Sequence, residues 1–126
     1  MSAFERGILS FAGGRFGDAV EALTQATQTE PANPSAWRYL AAAYFRLRDY
    51  AAAEGPARQV ALLTPGDPAA HFNLGVVLRK HGDSEGARRS LEEALRLRPD
   101  YDDAQRELAK LGVAGAVPSD VLSERW

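Results

Sequence analysis

Few residues in this sequence carry side chains able to catalyse a reaction or hold a metal, and their spacing gathers none of them. The two histidines, His71 and His81, are ten residues apart. On a helix of ~3.6 residues per turn that spacing turns them away from a common face, and no third ligand follows at metal-site spacing. There is no cysteine, which excludes disulfides, thiolate nucleophiles and thiolate metal ligands. Gly13, Gly14 and Gly17 form a glycine-rich turn without the Lys and Ser/Thr that a phosphate-binding loop needs. Ser90 has no histidine near it, and the pairs Glu92–Glu93 and Asp102–Asp103 read as ordinary polar helix faces. No catalytic residue, metal site or cofactor is expected, and an enzyme is not the reading these residues favour.

What the residues do form is a period. Prolines recur at Pro31, Pro65 and Pro99, and alanines at Ala19, Ala53 and Ala87, both at a spacing of 34. The series Leu23, Ala57, Leu91, then Ala26, Val60, Ala94, then Leu40, Leu74, Leu108, keep the same register. Agreement of this many series marks an internal repeat. Each unit reads as two helices. Asn33 and Asp67 are good N-caps, followed by Pro34 and Pro68 at a first helical position where a missing N–H is harmless. Asp49 and Asp83 are placed to cap the second helices, and Gly14 and Gly82 suit the left-handed turns that end the first ones. The pattern predicts helices near residues 2–12, 16–28, 35–47, 50–62, 69–81, 84–97 and 102–112. Pro56, inside the fourth, predicts a kink by removing a hydrogen bond and crowding the Ala52 carbonyl. Gly7, Ala41 and Gly75 sit mid-way along the first helices, where small residues let two backbones approach.

Composition fits this picture. The chain has 126 residues, 45% hydrophobic and 25% charged, with a formal net charge of −2, a balance that asks for neither nucleic acid nor an anionic membrane. No apolar run approaches the ~20 residues of a membrane-spanning helix, and the N-terminus lacks the features of a signal peptide. A cytoplasmic location is therefore expected.

A helix–turn–helix unit of 34 residues with Trp37, Leu40, Ala41, Tyr44, Ala53 and Pro65 in the second copy, and Leu74, Gly75, Ala87, Leu91, Ala94 and Pro99 in the third, resembles the tetratricopeptide repeat family. The resemblance implies an all-α, right-handed superhelical solenoid. Its three units would run at about 1–33, 34–67 and 68–101, followed by a solvating helix at 102–112 and a tail at 113–126. It also implies an adaptor that binds another protein or peptide in a concave groove lined by the first helix of each unit. Carried over residue by residue, the groove positions are Phe4, Ile8 and Phe11 in the first unit and Arg38, Tyr39, Ala42, Phe45 and Arg46 in the second. In the third unit they are Phe72, Asn73, Val76, Arg79 and Lys80, and the solvating helix adds Arg106 and Lys110.

Of these, Phe4, Phe11, Phe45 and Phe72 hold no position the family needs for hairpin packing, and the basic residues meet few acids in the series. The expected partner thus offers apolar anchors and acidic residues. Some members of the family grip the C-terminal carboxylates of heat-shock chaperones with a clamp of Lys, Arg and Asn. The corresponding positions here are Phe4, Ile8, Tyr39, Ala69 and Asn73, so a chaperone-tail adaptor of that type is not expected. The alternative is a structural role in which the groove or the ends of the repeats mediate homo-oligomerisation, with entry of Leu122 and Trp126 of the tail into a groove, of the same or a neighbouring molecule, as one route.

Overall fold

The computed structural model describes residues 1–114, with side chains described as far as Gly112. Within them lie seven helices and no strand: α1 Ala3–Ala12, α2 Phe16–Thr29, α3 Pro34–Arg46, α4 Tyr50–Leu63, α5 Pro68–Lys80, α6 Ser84–Leu97 and α7 Asp102–Ala114. Each agrees with its sequence expectation to within two residues. The helices fall into two compact units, Met1–Pro65 with α1–α4 and Gly66 onward with α5–α7. The tail residues Leu122 and Trp126, named as one route to self-assembly in the alternative reading, lie outside the described residues.

The helix ends follow from the capping residues. The side chains of Asn33, Asp49, Asp67 and Asp83 accept the backbone N–H of Ser35, Ala52, Ala69 and Gly86, each satisfying a donor that the first turn leaves unpaired. At α1 a capping box not foreseen in the sequence closes the same need: Ser2 and Glu5 exchange side-chain and backbone hydrogen bonds at 3.1 and 2.8 Å. Gly14 and Gly82 take φ of 76° and 93°, as expected, but the corresponding residue of the middle hairpin is Arg48, at φ 62°.

The first unit buries Ala19, Leu23, Leu40, Ala43, Ala53 and Ala57, and the second buries Leu74, Val77, Leu78, Ala87, Leu91 and Ala94. Glycine sets the helix spacing at two points. A Cβ on Gly7 would lie 2.5 Å from Cγ and Cδ2 of Leu23, and one on Gly75 would lie 2.8 Å from Cγ of Leu91. Both leucines are fully buried, so these hairpins close only because the first helix presents bare backbone there.

Pro56 does not break its helix, since α4 runs uninterrupted from Tyr50 to Leu63. The residue before a proline is driven from helical geometry by clashes of the proline ring with its N–H and its Cβ, and here that residue is Gly55, which has no Cβ. The ring of Pro56 is buried on the face that carries Ala53, Ala57 and Val60.

Candidate functional site

The candidate residues divide between the two units. In the first, α1 and α3 build a continuous aromatic row. Phe4 meets Tyr39 edge-on at 6.4 Å between ring centroids, and Tyr39 meets Phe11 at 5.4 Å. Arg46 then stands over Phe11 at 5.9 Å and over Phe16 at 4.8 Å. Phe4, Phe11 and Tyr39 also pack against the buried cluster of Ala19, Leu23, Leu40 and Ala43. They are half-buried, as are Ile8, Arg38, Ala42 and Phe45, whereas Arg46 is exposed.

Two of the phenylalanines correct the expectation that none serves hairpin packing. Phe11 meets Phe16 edge-on at 5.3 Å, and Phe45 meets Tyr50 in the same way at 5.2 Å. Each pair joins the last turn of a first helix to the first residue of the second, so it closes the hairpin. Both pairs sit at the same register, 34 residues apart, which is the signal that betrays them in the sequence. The third hairpin has Arg79 and Ser84 at these positions, and Arg79 is thereby released for another partner.

In the second unit that partner is Glu107. Arg79 Nε donates to its carboxylate at 2.7 Å from the neighbouring helix, and Lys110 Nζ donates to its other oxygen at 2.7 Å. Burial pushes the Glu107 carboxyl up, but hydrogen bonds from Lys110 and Arg79 and their charges outweigh it and hold the group below its ordinary value. Arg106 is bound in turn to Asp103. The expected ring of open positive charge is therefore corrected at Arg79, Arg106 and Lys110: acids on α7 already engage all three. Phe72 packs on Tyr101 at 5.1 Å with rings tilted by 35°, and Arg98 lies over Tyr101 at 4.7 Å. Val76 is half-buried, and Asn73 and Lys80 are exposed.

Sequence reasoning missed a further pattern. Trp37 Nε1 donates to the Pro31 carbonyl at 2.8 Å, and Gln105 Nε2 donates to the Pro99 carbonyl at 3.0 Å. These are equivalent positions two repeats apart, so each side chain ties the preceding loop to its helix. Among the described residues no three of His, Asp and Glu gather as a metal site, and no helix is long and apolar enough to cross a membrane.

The tetratricopeptide repeat pattern matches residues 4–68 and again residues 68–101. The chain belongs to the tetratricopeptide repeat family. Its fold is the all-α fold of that family. RNA polymerase II-associated protein 3 of Mus musculus is 32% identical over 110 residues, which cover 87% of this chain and 17% of that protein. The chain thus spans about a sixth of the length of this relative. Among solved structures, the first repeat domain of Spaghetti (RPAP3), bound to the HSP90 peptide SRMEEVD, superposes with a TM-score of 0.82 at 29% identity over 90% of each chain. The second repeat domain of human RPAP3, in complex with the HSP70 peptide SGPTIEEVD, gives 0.80 at 28% identity over 87% of this chain and 92% of that one.

Proposed function

We propose that this chain is a protein-interaction module that takes a partner peptide or helix against the first-helix walls of its repeats. The observation that carries the reading is the aromatic row of the first unit. Phe4, Tyr39 and Phe11 pack on the core and still keep part of their surface open, an arrangement of rigid rings that anchors apolar side chains at little entropic cost. The relatives support it, since two repeat domains with 28 and 29% identity to this chain are bound to short peptides rich in acidic residues.

The mode of capture differs from a terminal-carboxylate clamp. Phe4, Ile8 and Tyr39 stand at positions corresponding to the clamp of Lys, Arg and Asn, and Phe4 and Tyr39 are engaged with each other. Apolar burial then supplies the affinity, and charge the selectivity. Among the described residues no cluster of His, Asp and Glu gathers to hold a metal.

The test is a paired pull-down from native lysate with wild type, Ala42→Glu and Gln28→Glu as baits, each checked for folding by circular dichroism. Ala42 lies on the α3 wall, half-buried, and Gln28 is exposed on α2. A protein retained by wild type and Gln28→Glu but lost by Ala42→Glu is the expected result. Equal retention by all three would place the binding surface elsewhere. Retention of the chain's own copies alone would favour self-assembly.

A further inference from the structure

The cations on the candidate walls are not equivalent. Arg79, Lys110 and Arg106 are satisfied by carboxylates of α7. Arg46 is different: among the described residues it makes no ion pair, and its guanidinium carbon lies 5.9 Å from the Phe11 ring centroid and 4.8 Å from that of Phe16 instead. A cation–π contact draws the guanidinium to the ring faces and uses none of its five N–H donors. Arg46 is exposed, so its side chain is open to a partner. The result is a cation set against aromatic rings without an anion, at one end of the row formed by Phe4, Tyr39 and Phe11.

We infer that Arg46 reads an acidic side chain of the bound peptide, at a fixed distance from an apolar residue seated on the Phe4–Tyr39–Phe11 row. This rests on the peptide-binding reading above and names the ligand chemistry of that site. Charge complementarity selects the occupant: an unpaired guanidinium beside aromatic surface matches a carboxylate beside an apolar side chain. The carboxylate belongs to a side chain because Phe4, Ile8 and Tyr39 leave the clamp positions of the first unit without a basic group for a chain terminus. The three steps of the row are 6.4, 5.4 and 5.9 Å. They stay within the reach of about six extended residues at ~3.3 Å each, so anchor and acid stand no more than about five positions apart.

The experiment uses two random peptide libraries, one displayed with both ends joined to carrier and one with a free C-terminus. Both are selected on the wild-type chain, on Arg46→Gln and on Arg46→Lys, all shown folded by thermal unfolding. The inference expects the end-blocked library to enrich peptides with Asp or Glu within about five positions of an aromatic or aliphatic residue. Arg46→Gln should lose the acidic preference and weaken a selected peptide about fivefold at low salt. Arg46→Lys should keep the preference in reduced form, and added salt should shrink the difference between wild type and Arg46→Gln. Enrichment of apolar peptides without acids, or an acidic preference that survives in Arg46→Gln, would overturn the inference and leave the peptide-binding reading standing. So would enrichment confined to the free-C-terminus library. No enrichment from either library would overturn both.

Discussion

Adding one methyl group at Gly7 tests the packing at the centre of the first hairpin. The new Cβ would lie 2.5 Å from Cγ and Cδ2 of Leu23 and 3.4 Å from Cδ1, against an optimal carbon–carbon separation of ~3.5–4.0 Å. Leu23 is 0% exposed and Cγ lies on its stem, so the leucine cannot swing clear. Overpacking of this kind costs about 1–3 kcal/mol. Alanine recovers about 0.8–1.0 kcal/mol of helix propensity over glycine, so Gly7→Ala should be destabilised by up to about 2 kcal/mol. Gly17→Ala is the reference. It lies in α2, where a Cβ would meet nothing within 4 Å, and it should be neutral or slightly stabilised. Leu23→Ala alone should cost about 2–5 kcal/mol through its cavity. In the double variant the alanine methyl fills part of that cavity, and the pair should be less destabilised than the sum by about 0.5–3 kcal/mol. Urea denaturation of wild type and the four variants measures each figure. Additive effects, or a Gly7→Ala variant as stable as Gly17→Ala, would refute the claim that bare backbone at Gly7 sets the helix spacing.

Arg48 holds a left-handed φ of 62°, a conformation that costs an ordinary L-residue about 1–2 kcal/mol. Arg48→Gly should raise stability by about 1 kcal/mol, and a lower urea midpoint would contradict the assignment. Pro56→Ala should also stabilise, by about 1–3 kcal/mol, because it restores a hydrogen bond to the Ala52 carbonyl and relieves the crowding there. By contrast Gly55→Ala should destabilise although its surroundings are open, because its Cβ would clash with the proline ring; thermal unfolding of both variants checks the pair. For Glu107 the folded carboxyl lies below its ordinary value of 4.5. Its contribution is therefore complete above that value and lost as pH falls through the lower, folded one. Glu107→Gln should be less stable than wild type at neutral pH, and the gap should close in acid. Denaturation across a pH series reads this, and a gap that persists unchanged in acid would rule out the ion pair as its source.

How much of this was open to inspection in the sequence depends on the kind of signal. Helix boundaries were, because Asn33, Asp49, Asp67 and Asp83 act through the N–H groups two or three residues ahead, so local spacing carries them. The left-handed turns were legible at Gly14 and Gly82 but hidden at Arg48, where register alone, and not residue type, marks the turn. The aromatic pairs Phe11–Phe16 and Phe45–Tyr50 keep the repeat spacing and are open to the same reading. A phenylalanine late in a first helix, however, can serve a ligand or its own hairpin, and only the ring contact decides between them. The charges of the second unit were the least legible. Arg79 and Glu107 are 28 residues apart, and following one position from repeat to repeat does not compare one helix with a different position on its neighbour.

The repeat is better read as pairs than as positions. Gly7 faces Leu23 and Gly75 faces Leu91, while the middle repeat carries Ala41 and Ala57 at the same two places. The one repeat with a methyl on the first helix is the one without leucine on the second. The same logic links the hairpin ends. Phe11 with Phe16 and Phe45 with Tyr50 close two hairpins through rings, and where both rings are lost, at Arg79 and Ser84, the arginine turns to Glu107 on α7. Each departure from the repeat pattern is answered by the residue it touches. Arg46 stands out against that rule: its guanidinium lies over two rings, but no carboxylate among the described residues answers its charge. A cation set against two rings and left without an anion is a feature of this surface that internal packing does not account for, and the proposed acidic partner would account for it.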